Sequence, residues 1–320
     1  MFNEIKSLFV HRKQEEKEDK DVLGVPNVPN VPGIPSVPGV PDISLPTFEE
    51  REKKEEKEVS VICVANRKGG CGKTTTAINL AAALSKSGFK VLLIDLDSQA
   101  HASLGVGINV DEVTHSIYDV LVKNVDMERA ILKTSCEGLN LVPATSMLSG
   151  AQLEIADLLG REGILRNALF KMINTRRQSY DYVVIDCSPS LNLLTINGMV
   201  ASSHVLIPVQ THYFALEGMR ELFSTIEIIK GRLNSELQIL GILPTLYNRR
   251  TRMDRGISSQ LKSYFGNKVF QSTIRVNITL AEASASRQSI FDFAPNSKGA
   301  KDYASLTEEV VALTRAKLKN

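Results

Sequence analysis

The sequence predicts an α/β fold, a mostly parallel sheet with helices on both faces, carried by residues 59–320 behind a 58-residue N-terminal extension. Three observations predict it. Apolar runs near 59–66, 90–96, 138–142, 181–186, 203–209 and 238–244 alternate with helical stretches, the pattern of strand–helix–strand units. A glycine-rich turn separates the first run from an apolar helical pattern. Two of the other runs end in aspartate. Ligands of parallel α/β sheets bind beyond the carboxyl ends of the strands, so the turn and the acids are delivered to one edge.

Taken in order, the run Val59–Ala65 leads into Lys68-Gly69-Gly70-Cys71-Gly72-Lys73-Thr74-Thr75 and then a helix. Gly69, Gly70 and Gly72 permit torsions and close approaches that a Cβ blocks. The loop N–H groups and the helix start then point at anionic oxygens, a phosphate cradle. In such a loop Lys73 reaches the β- and γ-phosphates and Thr74 places its hydroxyl on Mg²⁺. The common pattern G-x-x-x-x-G-K-[ST] misses by one position, because Arg67 stands where its first glycine belongs and Lys68 opens the loop. The second strand ends in Asp95-Leu96-Asp97-Ser98-Gln99, whose two acids at i and i+2 share one side of a strand. The strand from Tyr182 ends in Asp186-Cys187-Ser188-Pro189. Magnesium is commonly held by one or two carboxylates with waters and phosphates, and Asp95, Asp97 and Asp186 are the three acids that the strand ends deliver beside Thr74. A long amphipathic helix is expected from His212 to Gly231. A closing helix from about Ala300 to Leu318 ends in basic residues, without the apolar, lysine-flanked face of a membrane tail.

The extension is not core material. Pro26, Pro29, Pro32, Pro35, Pro38 and Pro41 recur at a period of three within the Pro-rich stretch 25–46, the period of a polyproline II spacer, and a charged run follows from Glu49 to Glu58. Phe2, Ile5, Leu8 and Phe9 ahead of the spacer fall at helical spacing, which leaves two readings, a tethered docking peptide and a frayed start with no role. The start has no signal-peptide layout and no stretch approaches the roughly twenty apolar residues of a membrane span, so a cytoplasmic protein is expected. The four cysteines, at 63, 71, 136 and 187, show neither C-x-x-C spacing nor histidine partners and are read as small buried or loop residues. No N-K-x-D guanine motif is present, which points to ATP.

From Val59 to the C-terminus these motifs, together with Ile207–Gly218 and Ser297-Lys298-Gly299-Ala300, resemble the ParA/Soj branch of the deviant Walker-A ATPases, P-loop relatives of MinD and of the nitrogenase iron protein. The resemblance implies a role for each matching residue. Lys68 resembles the lysine that crosses a dimer interface to touch the partner's phosphates, so that two ATP molecules are sandwiched in a homodimer. Asp97 matches the acid that positions the attacking water. Asp95 and Asp186 match residues at the magnesium, with Asp186 in the Walker-B role. Catalysis then rests on Lys68, Lys73 and Asp97, and the nucleotide on residues 68 to 75.

Charge is distributed unevenly. Residues 245–320 hold 13 basic and six acidic side chains, net +7, which leaves −5 for residues 1–244 of a chain whose total is +2. Such asymmetry suits a phosphate-binding face. Arg249, Arg250 and Arg252 are its densest element, and Arg250 matches a family position that binds DNA without sequence preference. A second family position, commonly basic, is Thr279 here, and nearby Arg275 is the expected substitute. The resemblance implies a nucleoid-associated ATPase of chromosome or plasmid partitioning, stimulated by a ParB-like protein. Its rivals are a positioning ATPase for another cargo, a membrane-cycling MinD-like or flagellar-number regulator, and a metabolic reductase or ligase built on the same loop.

Overall fold

The structure, a computed structural model, describes residues 59–175, 179–211, 217–248 and 250–315. The N-terminal extension, Arg249 and the first residues of the helix expected from His212 lie outside the described residues. So does the last basic stretch of the closing helix.

Seven strands form one sheet. They are β1 (Ser60–Val64), β2 (Val91–Leu96), β3 (Leu132–Lys133), β4 (Leu139–Val142), β5 (Tyr182–Cys187), β6 (His204–Gln210) and β7 (Gln238–Thr245). Their spatial order is β3-β4-β2-β5-β1-β6-β7. Every pairing is parallel except that of β3 with β4. The six strands expected from the apolar runs are all present. The two-residue β3 is an addition, too short to leave a periodic signal.

Sheet order explains why the motifs meet. β1, β5 and β2 are consecutive neighbours, and Asp95 stands in register with Asp186 across the β2–β5 pair. Both strands are buried along their whole length, as continuous apolar runs covered on both faces require. The phosphate-loop helix Lys73–Lys86 buries Ala77, Leu80, Ala81 and Leu84 against one face of the sheet. The closing helix Lys298–Arg315 packs beside it, where the Tyr303 hydroxyl lies 3.3 Å from the Thr76 hydroxyl and Tyr182 lies 2.9 Å from Thr314. On the other face the helix Leu193–Val200 approaches so closely that a Cβ on Gly198 would lie 3.0 Å from Cys187 Sγ and 3.2 Å from Leu96. All four cysteines are free and buried. Among the described residues no helix is long and apolar enough to cross a membrane.

Candidate nucleotide and magnesium site

The cradle begins where β1 ends. Asn66, buried just past the strand, donates its amide to Pro208 O at 2.6 Å and accepts the Lys68 N–H at 3.1 Å, which fixes the loop's first turn. Gly70 (φ 70) and Gly72 (φ 86) lie in the left-handed region, so the glycines expected to be conformationally necessary are so at these two positions. From β7, Thr245 donates its hydroxyl to Cys71 O at 2.8 Å and clamps the loop from the far side. Burial raises the Cys71 thiol above its ordinary value, which keeps this loop cysteine in the unreactive thiol form. Neither Asn66 nor Thr245 was singled out from the sequence. The available signal was a polar residue directly after, or at the end of, an apolar strand.

Lys73 is buried and folds its ammonium back onto the carbonyl of Lys68 at 3.0 Å. It therefore points into its own loop, where phosphate oxygens would lie. A cavity of about 730 Å³ opens over the loop, with Lys73, Thr74, Asp97, Gln99, Ser188 and Leu246 among its walls. That volume lies within the range of nucleotide-sized ligand sites. Lys68 is exposed and does not line the cavity.

The three acids part company in the structure. Asp95 is fully buried; its carboxylate accepts the Ser103 N–H at 2.8 Å, the Ser103 hydroxyl at 2.7 Å and the Asp97 N–H at 3.1 Å. Burial pushes its carboxyl up to about 6 against the pull of those Ser103 and Asp97 hydrogen bonds. Asp97 stands one residue past the end of β2, half-buried in the cavity wall, and accepts the Gln99 N–H at 3.1 Å. Asp186 is fully buried with neither carboxylate oxygen hydrogen-bonded. The Thr74 hydroxyl is near enough to favour its charge but short of hydrogen-bond geometry. Burial first and the neighbouring Asp95 second raise the Asp186 carboxyl well above its ordinary value of 3.8.

An orphaned buried carboxylate costs free energy unless a cation or a proton meets it. Asp186, with Thr74 above it and Asp95 beside it, therefore fits a hard divalent cation. Among the described residues no group of three or more His, Cys, Asp or Glu side chains could hold a metal unaided. A magnesium ion here would complete its shell with phosphate oxygens and water, as that ion ordinarily does.

The profile of the AAA domain family matches residues 59–239. The chain is 42% identical over 252 residues to the sporulation initiation inhibitor protein Soj of Bacillus subtilis, an alignment spanning 79% of this chain and 98% of that protein. It belongs to the ParA/Soj family of partitioning ATPases. Among solved structures, cobyrinic acid a,c-diamide synthase of Mycobacterium smegmatis with a bound ATP analogue and magnesium is 33% identical. It aligns with a TM-score of 0.70 over 82% of this chain and 96% of its own. A plasmid partition protein of Borrelia burgdorferi bound to AMPPNP is 28% identical, with a TM-score of 0.66 over 81% of this chain and all of its own.

Among the described residues of this ParA/Soj-family chain, the arginines of the basic stretch are not equally free. Arg250, Arg252 and Arg255 are exposed around the start of the helix Arg252–Phe265, whose N-terminus Thr251 caps by accepting the Asp254 N–H. Arg275 is close to them in the backbone, since Tyr247 and Arg275 form an isolated parallel bridge. Its guanidinium, however, is engaged: Nε donates to both Asp302 oxygens at 3.0 Å, and the Arg275 N–H donates to Asp302 Oδ2 at 3.0 Å. Asp302 is 8% exposed, so this ion pair is part of the packing, and Arg275 is not the free cation that its proximity in sequence implies. Thr279 follows Asn277, whose side chain caps the helix Ile278–Ala285 by accepting the Thr279 N–H.

Proposed function

We propose that the chain is an ATP-driven switch of chromosome or plasmid partitioning that dimerises on ATP, binds DNA without sequence preference, and is released when a ParB-like partner stimulates hydrolysis. The observation that carries the reading is the division of labour between two lysines of one loop. Lys73 is buried in its own cradle, while Lys68 is exposed and is not among the walls of its own cavity. A lysine so placed is available to phosphates across an interface with a second copy. The identity to Soj supports the same assignment.

Phosphoryl transfer needs positioning and charge stabilisation more than covalent chemistry. The N–H groups of residues 69 to 75 and the Lys73 ammonium bind and orient the β- and γ-phosphates. Asp97, in the cavity wall beyond β2, orients the attacking water, its own carboxylate steadied by the Gln99 N–H. Thr74 and Asp186 would hold Mg²⁺, with Asp95 behind them; the ion supplies neutralisation of charge on the phosphate oxygens. Arg249, Arg250 and Arg252 supply counterion-releasing contacts to DNA phosphates.

Retention of the full chain on nonspecific duplex DNA, measured with ADP and with ATP and repeated for Asp97→Ala, tests the reading. Salt-sensitive binding with ATP alone, stronger in Asp97→Ala and weaker in Arg250→Ala, is the expected result. ATP-dependent dimers that ignore DNA would remove the DNA step. The name of the mycobacterial relative favours a second reading, a small-molecule synthase. ATP consumption raised by cobyrinic acid, and indifferent to DNA, would favour that one instead.

A further inference from the structure

The nucleotide cavity has a neighbour. A second cavity of about 330 Å³ abuts it, and Thr74, Thr75 and His101 are walls of both. Its far wall carries Ser284 and Arg287. Neither the Arg287 guanidinium nor the His101 ring has a hydrogen bond or ion pair among the described residues. The Ser284 hydroxyl is already spent on Leu280 O at 3.0 Å.

Arg287 holds its place against a conformational penalty. It sits two residues beyond the helix Ile278–Ala285 with φ 55, in the left-handed region where glycine is the ordinary occupant of a helix end. The turn is fixed: the Arg287 N–H donates to Ser284 O at 3.1 Å and the Gln288 N–H to Ala283 O at 3.0 Å. A glycine would serve that turn without strain, and a merely solvated arginine has no need of it. Only four non-glycine residues among those described have positive φ. Leu246 lines the nucleotide cavity, Arg287 lines its neighbour, and Ala100 immediately precedes His101, so three of the four converge here. Backbone strain concentrated in this way marks functional ground.

We propose that this annex is a phosphate-binding site beside the nucleotide, with Arg287, His101 and the Thr75 hydroxyl as its donors. A guanidinium presents paired N–H groups that match two phosphate oxygens, and an imidazole and a hydroxyl complete a set suited to a dianion. The volume admits a phosphate or a small phosphate monoester and is too small for a second nucleotide. Two sources share that chemistry: inorganic phosphate released from ATP, a source that rests on the proposed ATPase function, and the monoester of a small metabolite, which does not.

The test is equilibrium dialysis of radiolabelled inorganic phosphate against the full chain, with and without saturating AMPPNP and Mg²⁺, the analogue's own occupancy being measured in the same cells. The analogue fills the cradle, so phosphate bound beside it reports the annex. The expected result is one phosphate per chain beside the analogue and two without it. Arg287→Gly, which suits the backbone and removes the guanidinium, should weaken the annex at least about ten-fold, and Arg287→Lys less. Glycerol 3-phosphate in competition separates the sources: displacement more effective than by phosphate itself assigns the site to an outside monoester, and weaker displacement assigns it to the product. No phosphate beside a bound analogue, or binding that Arg287→Gly leaves unchanged, overturns the proposal. If the analogue itself fails to bind, the nucleotide reading falls, and the Arg287→Gly comparison in the analogue-free arm still decides the annex.

Discussion

Asp186 should make the empty protein less stable than it need be. Its carboxylate has no hydrogen-bond partner, is fully buried, and stands in register with the equally buried Asp95. The group can always escape ionisation by keeping its proton, which limits the penalty. Between the ordinary carboxyl value of 3.8 and neutrality lie about 3 pH units at roughly 1.4 kcal/mol each, so the ceiling at pH 7 is about 4 kcal/mol. Asp186→Asn removes that penalty, and its amide meets the same lack of hydrogen-bond partners as the protonated acid, so that cost cancels. The expected result is a net gain in stability at pH 7, bounded by that ceiling. The sign with pH follows from the raised folded-state value. Below the unfolded value near 4 both states are protonated and the two proteins differ little; the variant's advantage grows as pH rises from there toward the raised folded-state value of Asp186 and levels off above it. Urea unfolding without nucleotide and with magnesium chelated, from pH 4.5 to 7.5, measures it. A variant less stable than the parent at pH 7.5, or a difference that does not change with pH, would refute the argument. The same variant is expected to lose magnesium-dependent ATP hydrolysis, the trade of stability for function that a poised site implies.

Gly72→Ala places a Cβ at φ 86, with Thr245 3.9 Å away, so backbone strain and not crowding is the cost. It should lower stability by about 1–2 kcal/mol and weaken AMPPNP binding in calorimetry. Gly241→Ala brings a Cβ to 2.5 Å from the ring of Phe270; overpacking of this kind costs about 1–3 kcal/mol, read as a lower urea midpoint with nucleotide affinity unchanged. Arg275→Ala leaves Asp302, 8% exposed, with only the backbone N–H at 3.0 Å, a loss of about 1–3 kcal/mol. It should lower the melting temperature more than Arg250→Ala does, and any fall in its DNA binding has to be compared at equal folded fraction.

The framework was legible because its signals are local. A strand buried on both faces is written as one apolar run, and a cradle as glycines between such a run and a helix. Asp95, Asp97 and Asp186 could be placed at one sheet edge for the same reason. Their differences could not be read. Asp95 is held by Ser103, eight residues on, and Asp186 is left bare, so two aspartates at equivalent strand ends acquire opposite surroundings. Thr245 reaches Cys71 across 174 residues of chain, a pairing that only the β1-β6-β7 order brings about.

Arg275 shows the limit of counting charge. In sequence it is one more cation in a basic stretch, but Asp302 lies 27 residues further on and folds back against it from the closing helix. The next residue of that helix, Tyr303, is buried against Thr76 of the phosphate-loop helix. Two consecutive side chains thus belong to different neighbourhoods, one beneath the basic face and one beneath the cradle. Arg250 and Arg252 carry no such tie among the described residues, and are the arginines on which DNA binding can be tested without disturbing what supports the nucleotide.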